Sequence, residues 1–187
     1  MGNKLELTWI GKEHQPKLEP RILIEDPSKS YGEKNSENML IFGDNLLALK
    51  ALEQDFAGKI KCIYIDPPYN TGNAFEHYDD NLEHSIWLNL IRNRLVILHK
   101  LLISDGVLFI NIDENEHAYL KVMTDEIFGR KNYLGDLIWK KRKGGGNDSR
   151  FFAIDHDYIL VYVKDKDVHR EKWRVSQSEE YLKRYKE

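Results

Sequence analysis

A single cysteine, Cys62, is found among the 187 residues, which excludes a disulfide framework and a cysteine-ligated zinc site within the chain. Cys62 lies inside the apolar run Ile60-Lys61-Cys62-Ile63-Tyr64-Ile65, where a free thiol is expected to pack as a small buried hydrophobe. No stretch approaches the roughly 18 apolar residues of a membrane span, and residues 1–13 lack the continuous apolar core of a secretion signal. A cytoplasmic location without membrane contact is therefore expected. Neither sign of charge is in great excess, the formal net charge being −3, so any contact with nucleic acid must come from a local patch. There is no internal repeat, no low-complexity tract and no Walker-type phosphate loop. The remaining composition, 41% hydrophobic and 32% charged, suits one folded domain with one sizeable core.

Proline is sparse as well. Three of the five prolines, Pro16, Pro20 and Pro27, interrupt the polar stretch 1–38, which is expected to form an arm over a domain beginning near Met39. Met39 to Phe42 reads as a short strand. Gly43-Asp44 then offers an N-cap for a helix through Phe56, with Leu46, Leu49, Leu52 and Phe56 near helical spacing and Gly58 at its exit. Ile60 to Ile65 reads as a strand covered on both faces. Ile86 to Leu102 carries the stripe Leu90, Ile91, Leu95, Leu98, Leu101 and Leu102, with Arg92 and Arg94 off it. A central strand from Gly106 to Asp113 and a helix from Glu114 to Phe128 follow. Tyr133 to Lys140 and Tyr158 to Val163 form two further β-rich runs joined by a basic, glycine-rich loop, as in an antiparallel edge pair.

This alternation predicts an α/β fold: a Rossmann-like, doubly wound sheet, mostly parallel with an antiparallel edge pair. Ligands then bind outside the carboxyl ends of the strands. Asp44, Asp66 and Asp113 each follow an expected strand and would line that edge, although for Asp44 and Asp113 helix capping is the alternative reading.

The most specific feature is Asp66-Pro67-Pro68-Tyr69-Asn70 at the end of an apolar strand. Two prolines stiffen the turn and add no donors, so acceptors dominate. An exocyclic amine on adenine or cytosine is a poor nucleophile because its lone pair is delocalised into the ring. The Asp66 carboxylate and the Pro67 carbonyl, each accepting one amine hydrogen, would localise that pair and stabilise the positive charge that develops as nitrogen attacks a sulfonium methyl. Tyr69 supplies a flat face on which a base extruded from a duplex can stack. A rigid surface turn, or a ligand for a module that binds proline-rich peptides, is the bland alternative, and the spacing is wrong for Pro-Pro-x-Tyr.

These residues resemble the amino-methyltransferase family of DNA N6-adenine and N4-cytosine methylases, whose signature is this Asp-Pro-Pro-Tyr turn. Leu40-Ile41-Phe42-Gly43-Asp44-Asn45, Asn70-Thr71-Gly72-Asn73, the segment from Trp87 to Gly106 with Arg94-Leu95, and Ile112-Asp113-Glu114-Asn115-Glu116 are similar to the modification subunits of type III restriction systems. The resemblance implies S-adenosyl-L-methionine as cofactor and double-stranded DNA as substrate, with a restriction subunit and a second copy as candidate partners. It implies catalytic roles for Asp66, Pro67, Pro68 and Tyr69, and places Asp44, Asn45 and Asp66 on the cofactor side. It favours adenine N6 over cytosine N4, which presents the same donor geometry. In the family's β-group the catalytic turn precedes a glycine-rich cofactor motif, and no Phe-x-Gly-x-Gly lies downstream here. A truncated domain is thus expected: an arm over 1–38, the catalytic part over 39–165, and the start of a recognition region over 166–187. A non-catalytic DNA-binding or assembly fragment, and an RNA or protein methylase, are the other readings.

Three weaker signals remain. Lys140-Lys141-Arg142-Lys143 before Gly144-Gly145-Gly146 is a basic patch suited to DNA phosphates, or a solvated loop. His77, Asp79, Asp80, Glu83 and His84 lack any standard ligand spacing, and no metal is expected. His156-Asp157-Tyr158 either walls the base pocket or packs, and Phe151 and Phe152 read as core or hinge residues.

Overall fold

The structure, a computed structural model, describes residues 6–14, 17–19, 21–33, 36–71, 74–75, 78–79, 83–141 and 152–169. Asp44 starts the first helix: its carboxylate accepts from the Leu46 and Leu47 amides at 3.0 Å each, capping α1 (Asn45–Phe56). Gly58, at φ +66°, turns the chain into β1 (Ile60–Ile65). A small hairpin of β2 (Ala74–Phe75) and β3 (Tyr78–Asp79) stands apart from the main sheet. Helix α2 (His84–Leu101) runs without a loop into β4 (Leu102–Ile112). Then come α3 (His117–Phe128), β5 (Tyr133–Lys140) and β6 (His156–Val163).

The four long strands lie in the order β1-β4-β6-β5. β1 and β4 are parallel, and β6 runs antiparallel to both β4 and β5. Among the described residues β1, β4 and β5 therefore point one way and β6 alone opposes them, with β5–β6 the expected antiparallel pair at one edge. Leu108, Ile110 and Ile112 alternate along β4 and join Leu160 and Tyr162 of β6 in one core with Trp87, Leu88, Ile91, Leu95 and Leu98 of α2 and Leu120 and Met123 of α3. Alternate residues on the other face, Val107, Val161 and Val163, form a smaller cluster. Gly106 is required where β1 and β4 approach: a Cβ there would lie 2.8 Å from Leu102 Cδ2 and 3.1 Å from the Ile60 carbonyl oxygen. Part of the N-terminal arm docks on the helices. Trp9 Nε1 donates to Asn89 Oδ1 at 2.9 Å, and Lys12, 5% exposed, pairs with Glu126 at 2.8 Å.

Several expectations are corrected. Residues 39–42 are not a strand, and Leu40 and Phe42 are fully exposed, because no described strand lies beside them to take their main-chain hydrogen bonds. Among the described residues β1 is an edge strand and is not covered on both faces: Lys61, Cys62 and Tyr64 are exposed, so Cys62 is exposed rather than buried. Helix α3 begins at His117 rather than Glu114, since the Asp113 carboxylate accepts from the Asn115 amide and side chain at 3.0 and 2.8 Å and holds residues 114–116 in a turn. Arg142 to Phe151 and residues 170–187, including Lys143, lie outside the described residues. Among the described residues no helix is long and apolar enough to cross a membrane.

Candidate active site

The Asp66–Asn70 turn leaves the carboxyl end of β1 beside β4, and the structure fixes it from three elements. Because Ile65 is in register with Ile110, the next residues, Asp66 and Asn111, are neighbours. Asn111 Nδ2 donates to Asp66 Oδ1 at 3.2 Å and makes a short hydrogen bond to the Tyr69 hydroxyl. Burial pushes the Tyr69 hydroxyl pKa well up, and the hydrogen bond and charge of Asp66 add to it. Trp87 of α2, fully buried, donates its indole N–H to the Pro68 carbonyl at 2.7 Å. Asn70 closes the turn in the left-handed region, φ +60°, a conformation that asparagine tolerates. Its amide donates to Glu116 Oε1 at 2.7 Å, and His84 Nδ1 meets the same oxygen at 2.9 Å. Glu116 is only 3% exposed, so this carboxylate ties the exit of the turn to the loop before α3.

A cleft of about 270 Å³ opens beside the turn. Its walls include Asn45 and Leu49 of α1, Asp66 and Pro67 of the turn, and Ile91 and Arg94 of α2. Arg94 Nε donates to Asn45 Oδ1 at 2.6 Å, and its guanidinium lies 3.8 Å from the Asp44 carboxylate. The walls thus combine aliphatic surface with one carboxylate, one guanidinium and one amide. Such a mixture suits a ligand that is partly apolar and partly zwitterionic.

Two further carboxylates stand close to the turn. Asp113, 4% exposed, has its pKa raised by burial, partly offset by its hydrogen bonds from Asn115. Asp157 forms an ion pair with Lys141 at 2.5 Å, and its charge adds to the upward shift of Tyr69. The Lys141 ammonium is therefore committed to a buried partner, while Lys140 at the end of β5 is exposed. Tyr158 packs against the main core, with the His117 ring 4.2 Å away, centroid to centroid, and His117 Nε2 lies 2.9 Å from Asp136 Oδ2.

Of the residues expected from sequence, Asp66, Pro67, Pro68, Tyr69 and Asn45 are brought together around the turn and cleft. Asp44 caps α1 and borders Arg94. Asp113 does not cap α3: its carboxylate closes a turn over residues 114–116 ahead of that helix, whose N-cap position is Glu116. Among the described residues, no three histidine, cysteine or acidic side chains are grouped so as to hold a metal ion. The sequence alone does not mark Asn111, Trp87 or Glu116 as site residues. A polar Asn111 inside the apolar run Val107 to Ile112 was the one signal available, because a lone amide in a central strand calls for a polar partner.

A family model described as DNA methylase matches residues 60–187. The chain is 37% identical to the type III restriction-modification enzyme EcoP15I Mod subunit of Escherichia coli, over 92% of the chain and 32% of that protein. It is 38% identical to the EcoPI Mod subunit of Escherichia phage P1, over 87% of the chain and 31% of the relative. The chain thus spans about a third of the length of these relatives. Among solved structures it aligns with the complex of M1.HpyAVI with SAM at a TM-score of 0.47 and 17% identity, covering 74% of this chain and 58% of that one.

Proposed function

The chain belongs to the DNA methylase family, and from that membership we propose that it transfers a methyl group from S-adenosyl-L-methionine to the exocyclic amine of a base flipped out of double-stranded DNA. The observation that carries this reading is the rigid Asp66–Tyr69 turn, with its carboxylate and carbonyls beside a cleft of mixed polarity. The cofactor, when bound, supplies an electrophilic sulfonium methyl. Asn45, Asp66 and Arg94 on the apolar cleft fit a molecule with a flat heterocycle and a charged amino-acid end, with Asp44 behind them holding Arg94.

The chain's own residues bind and orient the base. Asp66 and the Pro67 carbonyl accept the two amine hydrogens, so that charge appearing on nitrogen meets preorganised acceptors rather than reorganising water. Pro68 stiffens the turn, and Tyr69 stacks on the base. Lys140, with Arg142 and Lys143 farther along the sequence, meets the DNA phosphates, while Lys141 anchors this segment through Asp157. The resemblance to type III modification subunits favours adenine N6 and a role in restriction-modification, with a restriction subunit as partner and a second copy as a further one.

The test incubates the protein with unmethylated bacterial genomic DNA and S-adenosyl-L-methionine carrying a labelled methyl group, then resolves the digested nucleosides by mass spectrometry. Label in N6-methyladenine, lost in Asp66→Ala, is the expected result. Label in N4-methylcytosine would move the target to cytosine. Incorporation into neither base, by a protein shown to be folded, would refute the reading.

A further inference from the structure

We propose that Asn111 is a positioning residue that decides which oxygen of Asp66 meets the base amine; this rests on the methyltransferase reading above. Its amide reaches the two side chains of the turn proposed to touch the base, Asp66 Oδ1 at 3.2 Å and the Tyr69 hydroxyl. The orientation of the amide follows from its partners. A carboxylate oxygen accepts only, so the nitrogen must face Asp66; turning the amide over would set two acceptors against each other.

The consequence is a division of acceptors. Asn111 engages Oδ1 of Asp66 and leaves Oδ2 as the oxygen it does not touch. Trp87 engages the Pro68 carbonyl in the same way, which leaves the adjacent Pro67 carbonyl as the acceptor we pair with Asp66. Two acceptors then match the two hydrogens of an exocyclic amine. The same amide holds the Tyr69 hydroxyl, so the stacking ring and the accepting carboxylate are tied to one rigid point on β4, a strand whose neighbours at this level are Asp66 of the turn and Ile159 of β6. Without Asn111 the Asp66 carboxylate and the Tyr69 ring keep their contact with each other but lose their tie to β4, so the pair shifts together, while the shape of the cleft and the surfaces that meet DNA are unchanged.

Asn111→Leu keeps the size of the side chain and removes both donated hydrogens; Asn111→Asp keeps the shape and also removes them. Both are measured as the protein stands, for kcat, KM for DNA, binding of S-adenosyl-L-methionine and thermal unfolding, alongside wild type and Asp66→Ala. The expected result is a fall in kcat of about 100-fold, the scale of a misplaced catalytic group, with KM and cofactor affinity within about twofold of wild type. A residue that merely supports the fold would instead lower the melting temperature and the binding-competent fraction together. Should the leucine variant fail to fold, the aspartate variant alone decides. A folded variant that keeps kcat within about threefold while Asp66→Ala is inactive overturns this proposal and leaves the methyltransferase reading standing. A rise in KM for DNA as large as the fall in kcat also overturns it. If wild type transfers no methyl group, or Asp66→Ala transfers as well as wild type, both readings fall.

Discussion

Replacing Trp87 by phenylalanine separates the two jobs that this side chain performs. The indole is fully buried in the main core and its N–H holds the Pro68 carbonyl at 2.7 Å. Phenylalanine keeps the first ring and most of the apolar contact, but it removes the donor and leaves a small void where the second ring lay. The lost hydrogen bond costs about 1 kcal/mol net. The void adds roughly 1 kcal/mol more, because the packed neighbours Leu88, Ile91 and Leu95 of the same helix relax only in part. A destabilisation of about 2 kcal/mol corresponds to a melting temperature lower by about 4–8 °C for a chain of this size. Circular dichroism melts of wild type, Trp87→Phe and Trp87→Leu check it, leucine removing the aromatic contact as well and melting lower still. The second readout is methyl transfer: with the Pro68 carbonyl released, the turn loses one of its three anchors and kcat falls by about tenfold. A Trp87→Phe protein that melts within 1 °C of wild type and turns over normally would refute the claim that this hydrogen bond holds the turn.

Two further outcomes follow from the fold behind the site. Burial, with Lys164 nearby, holds the His99 pKa down to about 4, against an ordinary 6.5. The unfolded chain therefore binds a proton that the folded one refuses, so stability is full above about pH 6.5 and declines as the pH falls toward 4, by on the order of 2 kcal/mol after allowance for solvent screening. Urea titrations from pH 7 to 4 check this, and His99→Gln should flatten that part of the profile. Gly106→Ala drives a methyl to within 2.8 Å of Leu102 Cδ2 and about 3 Å of two carbonyl oxygens, which should cost about 1–3 kcal/mol; an unchanged urea midpoint would mean that β1 and β4 separate more readily than their packing implies.

Local chemistry decided much of this protein from its sequence. The apolar stripe from Ile91 to Leu101 became the buried face of α2, Asp44 became the cap of α1, and the run Ile60 to Ile65 became β1 within the expected bounds. The Asp66-Pro67-Pro68-Tyr69 turn was legible for the same reason: two prolines and a carboxylate at a strand end restrict the backbone whatever surrounds them. Sequence could not decide which strands are neighbours, since pairing joins residues far apart in the chain. Among the described residues, tertiary structure alone placed β1 at the sheet edge with Cys62 and Tyr64 exposed, and left residues 39–42 without the partner that a strand needs. It also brought Asn111, Trp87 and Glu116, from 19 to 46 positions away along the chain, onto the turn. A hydrogen bond reaches only about 3 Å, so these anchors exist only once the parallel register of β1 and β4 and the packing of α2 have set them in place.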